Sequence, residues 1–157
     1  MGYSELPIGL ALLVCDTVIE DRRTLKKSLV GLFSQINVGK LPYVHPGLFL
    51  FVSLTGGTGE YPCEIVCEHV DSAEKVFALK CKVAFKTPYD VAELVFALRA
   101  LRFTQAGRYW IKVLVEGMPL MMRPLVVTCR PPAPPPGATD AGQRPAAPPP
   151  PPSPPQQ

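Results

Sequence analysis

Apolar and polar residues alternate in this chain with a period of two, which is the period of a β-strand that has one buried face. The alternation is clearest in segments 48–54 and 109–115. The positions predicted to face the core are Leu48, Leu50, Val52 and Leu54 in the first segment and Tyr109, Ile111, Val113 and Val115 in the second. Because successive strand residues point to opposite faces, the residues between them should lie on the far side of each strand.

Short apolar runs bounded by Gly, Pro, Asp or Asn continue the pattern and predict an all-β chain without βαβ units. The eight predicted strands are Ile8–Thr17, Leu25–Ile36, Leu48–Thr55, Tyr61–Val70, Lys75–Phe85, Ala92–Leu101, Arg108–Glu116 and Leu120–Cys129. Gly117 lies between the last two strands. Because glycine readily adopts the positive φ of a tight hairpin, we expect those two strands to pair as neighbours.

Segment 91–101 fits two kinds of secondary structure. Asp90 is suited to cap a helix, with Glu93 three residues later. The positions at helical spacing are Val91, Leu94, Val95 and Leu98, whereas Leu94, Phe96 and Leu98 would share one face of a strand. The residues alone leave both possibilities open.

Proline content divides the chain into two parts. Of its 20 prolines, 13 lie from Pro131 onward, in a low-complexity segment that favours polyproline II structure and disorder. We therefore expect a folded domain over 1–130 and a disordered, proline-rich tail over 131–157. A domain of that size buries about two-thirds of its unfolded surface and needs no metal or disulfide to be stable.

Charge and cysteine content argue against several classes of protein. The 16 basic and 13 acidic residues are scattered and form no basic stripe suited to nucleic acid. Five cysteines without a Cys-x-x-Cys motif are predicted to be mostly reduced, as in the cytoplasm. The apolar run Ile8–Val14 is far shorter than the ~20 residues that span a bilayer and follows no basic signal region. The expectation is a cytoplasmic protein with neither nucleic acid nor a membrane as its partner.

Residues suited to catalysis or cofactor binding are few. The glycine-rich loop 55–59 is followed by Glu60 rather than by the Lys and Ser or Thr of a phosphate-binding loop. His45 stands before a proline and is predicted to lie in a turn. With only two histidines and no paired carboxylates that can be singled out, we expect no enzyme activity and no cofactor.

The far sides of two strands carry large apolar residues. If the core-facing positions are as predicted, Phe49 and Phe51 point away from the core, and so do Trp110 and Leu114 on the other strand. Exposed aromatic side chains call for a cover, which either the chain itself or another protein could provide. These four residues are the candidate interaction surface.

Gly107 and Tyr109 stand at the start of a predicted strand. In this order they resemble the tyrosine corner of immunoglobulin-like sandwiches, in which the Tyr hydroxyl bonds the backbone of the preceding corner. The alternative is a Tyr that merely begins a strand.

Several short motifs, in their order along the chain, resemble those of a bacterial family of small uncharacterised proteins. They are Val14-Cys15-Asp16, Ser28-Leu29-Val30-Gly31-Leu32-Phe33, Val44-His45-Pro46, Leu54-Thr55-Gly56-Gly57-Thr58-Gly59-Glu60-Tyr61, Ala92-Glu93-Leu94-Val95-Phe96 and Gly107-Arg108-Tyr109. The resemblance covers roughly residues 8–128. It implies an antiparallel immunoglobulin-like β-sandwich of seven or eight strands, favours a strand for 91–101, and implies no chemistry.

Two functions are compatible with this sequence. The first is a non-catalytic module that binds another protein, or itself, through a strand edge or the Phe49/Phe51 face. The alternative is a small-ligand or metal-binding module that uses strand-end loops such as 55–60. Its metal ligands would be Cys67, His69 and Cys81, a set that lacks a fourth ligand.

Overall fold

The computed structural model describes residues 5–134 of the 157-residue chain, and this part contains nine β-strands and no helix. The strands are β1 (Ile8–Glu20), β2 (Lys27–Leu32), β3 (Gln35–Val38), β4 (Tyr43–Thr55), β5 (Gly59–His69), β6 (Lys75–Phe85), β7 (Val91–Phe103), β8 (Gly107–Val115) and β9 (Met118–Cys129). The all-β prediction is therefore confirmed. Of the predicted tail, residues 131–134 have no regular secondary structure, and the rest lies outside the described residues.

The strands form two sheets that share one core. The first has the order β2-β1-β4-β7, and the second, which curls into a half-barrel, has the order β3-β9-β8-β5-β6. Neighbouring strands run antiparallel except β3 and β9, which are parallel. The expectation of a purely antiparallel structure is wrong at this pair, because β3 enters the second sheet by crossing over from the first.

The segment predicted as one strand, Leu25–Ile36, is two strands in different sheets, which raises the count from seven or eight to nine. β2 pairs with β1, whereas β3 pairs with β9. Between them, the Phe33 amide donates to the carbonyl of Val14 in one sheet, and the Ser34 carbonyl accepts from the Val126 amide in the other. The chain can therefore change sheets within two residues while these backbone groups stay hydrogen-bonded.

β7 corresponds to the segment that also fitted a helix. It pairs with β4 at twelve positions, from Tyr43 opposite Phe103 to Thr55 opposite Val91. Alternate β7 residues pack against the core, namely Ala92, Leu94, Phe96 and Leu98. Pairing and one-sided burial outweigh the local helical spacing.

His45 lies within β4, opposite Leu101, so its prediction as a turn residue is wrong. The strand extends further than its apolar pattern indicated. Its pairing with β7 continues on both sides of an irregularity at which Pro46 and Ala100 form no pair. Ala100 takes a φ of +52° there. The register is the same on both sides of this unpaired position, so the two strands continue beyond a proline that has no amide to donate.

The predicted core positions are confirmed. All eight are at most 2% exposed, and a single cluster contains residues of both β4 and β8. Fully burying one such aliphatic side chain contributes about 1.5–3 kcal/mol. The predicted hairpin between β8 and β9 is also confirmed, with φ of +51° at Glu116 and +78° at Gly117, as a tight turn of primed type requires.

Candidate functional site

The four residues of the candidate interaction surface lie on two different outer faces. Phe49 and Phe51 are on β4, and Trp110 and Leu114 are on β8, each pointing away from the shared core. Because the core lies between the sheets, the two pairs face opposite sides of the molecule. Phe51 is buried (8% exposed) and the other three are half-buried, so the structure does not join them into one patch.

The hairpin of β1 and β2 folds over the outer face of the four-stranded sheet. Within the hairpin, Glu20 pairs with Lys27. If the pairing of β1 with β4 continued in a flat sheet, Glu20 would lie opposite Val44. Glu93 lies opposite Ser53, nine residues further along β4, which is about 30 Å in a flat sheet. Nevertheless, the Lys27 Nζ lies 2.8 Å from a carboxylate oxygen of Glu93. The hairpin must therefore bend back across that face.

On this face Phe51 and the polar Ser53 beside it are buried. Lys27 ties the hairpin to β7 through Glu93, and within the hairpin it contacts Glu20 at 3.4 Å. The hydrogen bond to Glu93 raises the pKa of Lys27, so the ammonium stays charged in this contact. The chain itself covers Phe51.

Tyr109 makes a hydrogen bond of the kind found in a tyrosine corner. Its hydroxyl donates to the backbone carbonyl of Gln105 at 2.6 Å, and burial raises the pKa of this hydroxyl. The ring packs edge-on against His69 and Phe103, with centroids 4.9 and 5.3 Å away. Gly107 lies beside them with a φ of +126°, and a Cβ at this position would lie 2.9 Å from the Nε2 of His69.

His69 is occupied by hydrogen bonds within the chain. Its Nδ1 accepts from the Ser72 amide at 3.2 Å, so the proton of the neutral ring belongs on Nε2, which donates to the carbonyl of Ala106. The Gln105 side chain donates to Ser72 and to Glu74 from the same side. These bonds tie the β5–β6 loop to the β7–β8 loop, which is a structural role for His69.

The predicted metal ligands are not brought together. Cys67 lies opposite Phe77, whereas Cys81 lies opposite Cys63, four residues further along β6, or about 13 Å. Within residues 5–134, no group of three or more His, Cys, Asp and Glu side chains could hold a metal ion. Burial raises the pKa of Cys67 to about 12, which disfavours the thiolate that a metal requires.

The glycine-rich loop is closed by packing. Gly57 is buried so tightly against Phe85 and Tyr61 that an added Cβ would lie 2.6 Å from the Phe85 ring. The Thr58 amide donates to the Tyr61 hydroxyl at 3.1 Å. The loop is thus a packed connection between β4 and β5.

A cavity of about 340 Å³ beside His45 is a feature that the sequence did not indicate. Its lining includes Asp16 on β1, Gln35 and Asn37 on β3, and Tyr43 on β4. The His45 ring lies tilted against the rings of Phe33 and Tyr43, and both of its nitrogens are buried without a well-formed hydrogen bond. Burial lowers the pKa of His45 from its ordinary value of 6.5, an effect that the Gly47 backbone and the Asp16 carboxylate partly offset.

This lowered pKa predicts a pH dependence of stability. Between the folded and unfolded pKa values the unfolded chain binds more protons, so the free energy of unfolding should fall as the pH drops below 6.5. In the His45→Phe variant this decrease of the free energy of unfolding with falling pH should be absent. Urea unfolding at several pH values, on wild type and variant, measures it. Equal slopes in the two proteins would show that His45 is not held neutral by the fold.

The free edge of the four-stranded sheet is a further exposed feature. β7 has 13 residues and pairs with β4 on one side only. Val91 is 56% exposed, and Tyr89 just before the strand is 91% exposed. Over 91–98 the strand carries a single charged residue, Glu93. Long, weakly charged edges of this kind are templates for pairing with another strand.

Known proteins with detectable similarity supply a family but no activity. The model of a family of unknown function (DUF6941) matches residues 10–128, and no curated protein matches the chain. One similar solved structure is the Pseudomonas fluorescens alkylpurine DNA glycosylase AlkC bound to DNA containing an abasic site analog, with 18% identity over 61% of this chain and a TM-score of 0.42. Another is the Listeria innocua β-glucosidase in complex with glucose, with 11% identity over 62% of this chain and a TM-score of 0.41.

This chain spans only 28% of the length of the glycosylase and 15% of that of the glucosidase. At these scores neither structure bears on its function. Within residues 5–134, no helix is long and apolar enough to cross a membrane.

Proposed function

Since this chain belongs to a family of unknown function (DUF6941), we propose from its geometry that it is a non-catalytic, immunoglobulin-like β-sandwich that assembles with a second copy of itself. The two copies join through their β7 edges, which pair antiparallel and make one continuous sheet. The observation that carries the proposal is the free β7 edge.

The other sheet edges are less suited to strand addition. β2 and β3 have only six and four residues. β6 is longer, but it contains Lys75, Lys80 and Lys82, and lysines on an edge strand oppose its pairing with a strand of another chain. The segment 91–99 of β7 has neither weakness.

The β7 sequence is complementary to itself. In an antiparallel pair centred on Phe96, Glu93 of one copy lies opposite Arg99 of the other, twice by symmetry. Both side chains belong to the outer face, because Glu93 pairs with Ser53 and Arg99 with Gly47 on the same side of β4. The irregularity at Ala100 ends the straight part of the strand immediately afterwards.

Two further properties belong to this proposal. The module is a non-enzyme, a property that the engagement of both His69 ring nitrogens in holding loops together supports. It works in a reducing compartment such as the cytoplasm, which the five free cysteines support. Its partner is a protein chain rather than nucleic acid or a membrane.

A charge swap on the full chain tests the pairing. Arg99→Glu replaces an attraction by a repulsion at two symmetric positions. A pair of charged residues directly opposite each other stabilises two strands by about 0.2–1 kcal/mol if the charges are opposite and destabilises them similarly if they are alike. The dissociation constant of the dimer should therefore rise roughly tenfold. The double variant Glu93→Arg/Arg99→Glu restores opposite charges across the edge and should recover the dimer. Because Glu93→Arg also removes the Lys27–Glu93 ion pair, urea unfolding of the double variant must first show that it is folded. The measurement is light scattering behind size-exclusion chromatography over a tenfold range of concentration.

Arg102→Glu is the matched control, because it makes the same charge change on β7 beyond the irregularity, at an exposed position. It should leave the mass unchanged. A wild type that stays monomeric at every concentration, or an Arg99→Glu variant that dimerises as well as wild type, would refute the β7 pairing.

A further inference from the structure

Two cysteines face each other directly on neighbouring strands. Cys63 on β5 pairs with Cys81 on β6, so the two side chains lie next to each other on the same face of the sheet. Directly opposed residues of an antiparallel pair have Cα atoms about 4.5 or 5.5 Å apart. Both separations lie in the range that a disulfide spans, about 4.4–6.8 Å.

The two thiols differ in accessibility. Cys63 is 2% exposed and belongs to the core cluster, whereas Cys81 is half-buried on the edge strand of its sheet. A cavity of about 220 Å³ lies beside the pair and is lined by both residues. Burial and the neighbouring Cys81 raise the pKa of Cys63 to about 12, so Cys63 is a protonated thiol at neutral pH. Cys81 is therefore the thiol that a reagent from solvent meets first.

The remaining cysteines lack such a partner. Cys15 lies opposite Leu32 and Phe49, Cys67 lies opposite Phe77 and Ile111, and Cys129 lies opposite Val38. Cys15 and Cys67 are fully buried, and Cys129 is exposed. Among the described residues, Cys63 and Cys81 are the only two cysteines that oppose each other.

We propose that Cys63 and Cys81 form a dithiol site that a low-molecular-mass disulfide, of the oxidised glutathione class, converts into a cross-strand disulfide. The Cys81 thiolate attacks one sulfur of the reagent and releases the first thiol, leaving a mixed disulfide on Cys81. Cys63 then gives up its proton, attacks the Cys81 sulfur and releases the second thiol. Two electrons and two protons pass from the cysteine pair to the reagent.

β6 is suited to the movement that this bond requires. Opposed Cβ atoms in a sheet are about 4.5–5.5 Å apart, whereas a disulfide needs about 3.5–4.5 Å, so the strands must approach by roughly 1 Å. β6 is an edge strand with β5 as its only sheet neighbour. Oxidation would therefore fasten this edge to the sheet, independently of the β7 edge in the other sheet.

The test oxidises the full-length, folded chain with oxidised glutathione, in a Cys129→Ser background that removes the exposed thiol. Peptide mapping without reductant should recover a 63–81 crosslink within one chain, with the loss of two free thiols per chain and no disulfide between chains. Cys81→Ser should lose no thiol. Cys63→Ser should instead stop at one glutathione attached to Cys81, because the second step lacks its thiol.

Other outcomes would overturn the proposal. Examples are four thiols retained after oxidation, a crosslink that involves Cys15 or Cys67, or a glutathione adduct on Cys81 that persists while Cys63 is present. The map of the Cys129→Ser chain itself decides the question even if a Cys63 or Cys81 variant folds poorly. The same reaction in urea, where pairing is lost, should yield mixed crosslinks and serves as the control for the role of the fold.

Discussion

Replacing Leu50 by alanine should lower the free energy of unfolding by about 2–5 kcal/mol, the range that buried Leu→Ala changes produce. Leu50 is fully buried and stands between Val14 on β1 and Phe96 on β7. With neighbours on both sides and the second sheet above it, the cavity left by the lost atoms cannot easily collapse. Urea unfolding followed by the fluorescence of Trp110, the single tryptophan, measures the loss.

Leu32→Ala is the matched control, since it removes the same atoms from a side chain that is 57% exposed. It should change the free energy of unfolding by no more than about 0.5 kcal/mol. Similar losses in the two variants would contradict the shared core between the sheets.

The sequence predicted β4 and β8 well because these strands lie inside their sheets. Each has one face on the core and the other on the outside of the sheet, so core-facing and outward-facing residues alternate clearly along its sequence. The predicted core positions in 48–54 and 109–115 followed directly. The turn at Gly117 was predictable for a similar reason, because its chemistry is local.

The residues of segment Leu25–Ile36 gave little indication that it divides into β2 and β3. Both halves are apolar, and the change of sheet depends on partners far away in the chain, β1 for one and β9 for the other. Segment 91–101 shows the opposite problem, since its helical spacing is real but its pairing with β4 outweighs it. Tertiary partners decide both cases.

The candidate sites differ in the same way. Cys63 and Cys81 lie on consecutive strands joined by a short loop, so the sequence could have placed them near each other; the register shift between Cys67 and Glu68 moves the pairing by one residue, and only the structure shows that they are directly opposed. The cavity at His45 could not have been found in this manner, because its walls come from β1, β3, β4 and the β2–β3 connection. The contact that brings Lys27 of the β1–β2 hairpin to Glu93 on β7 is likewise a tertiary feature that the alternation of residues does not encode.

Gly107→Ala should destabilise the protein by about 2–6 kcal/mol. The φ of +126° is a conformation that residues with a Cβ rarely adopt, at a cost of about 1–3 kcal/mol. The new Cβ would also lie 2.9 Å from the Nε2 of His69. The ring must then move away from the Ala106 carbonyl to which it donates, and a broken buried hydrogen bond costs about 1–3 kcal/mol.

Gly59→Ala separates the two contributions, because Gly59 has a φ of +87° but no atom within 4 Å of an added Cβ. It should show the backbone cost alone, so Gly107→Ala must be clearly the more damaging change in urea unfolding. Placing Gly107→Ala in a His69→Ala background should bring its cost down towards that of Gly59→Ala, since the colliding ring is gone. If His69→Ala gives no such relief, the close approach of Gly107 to His69 does not hold this corner together.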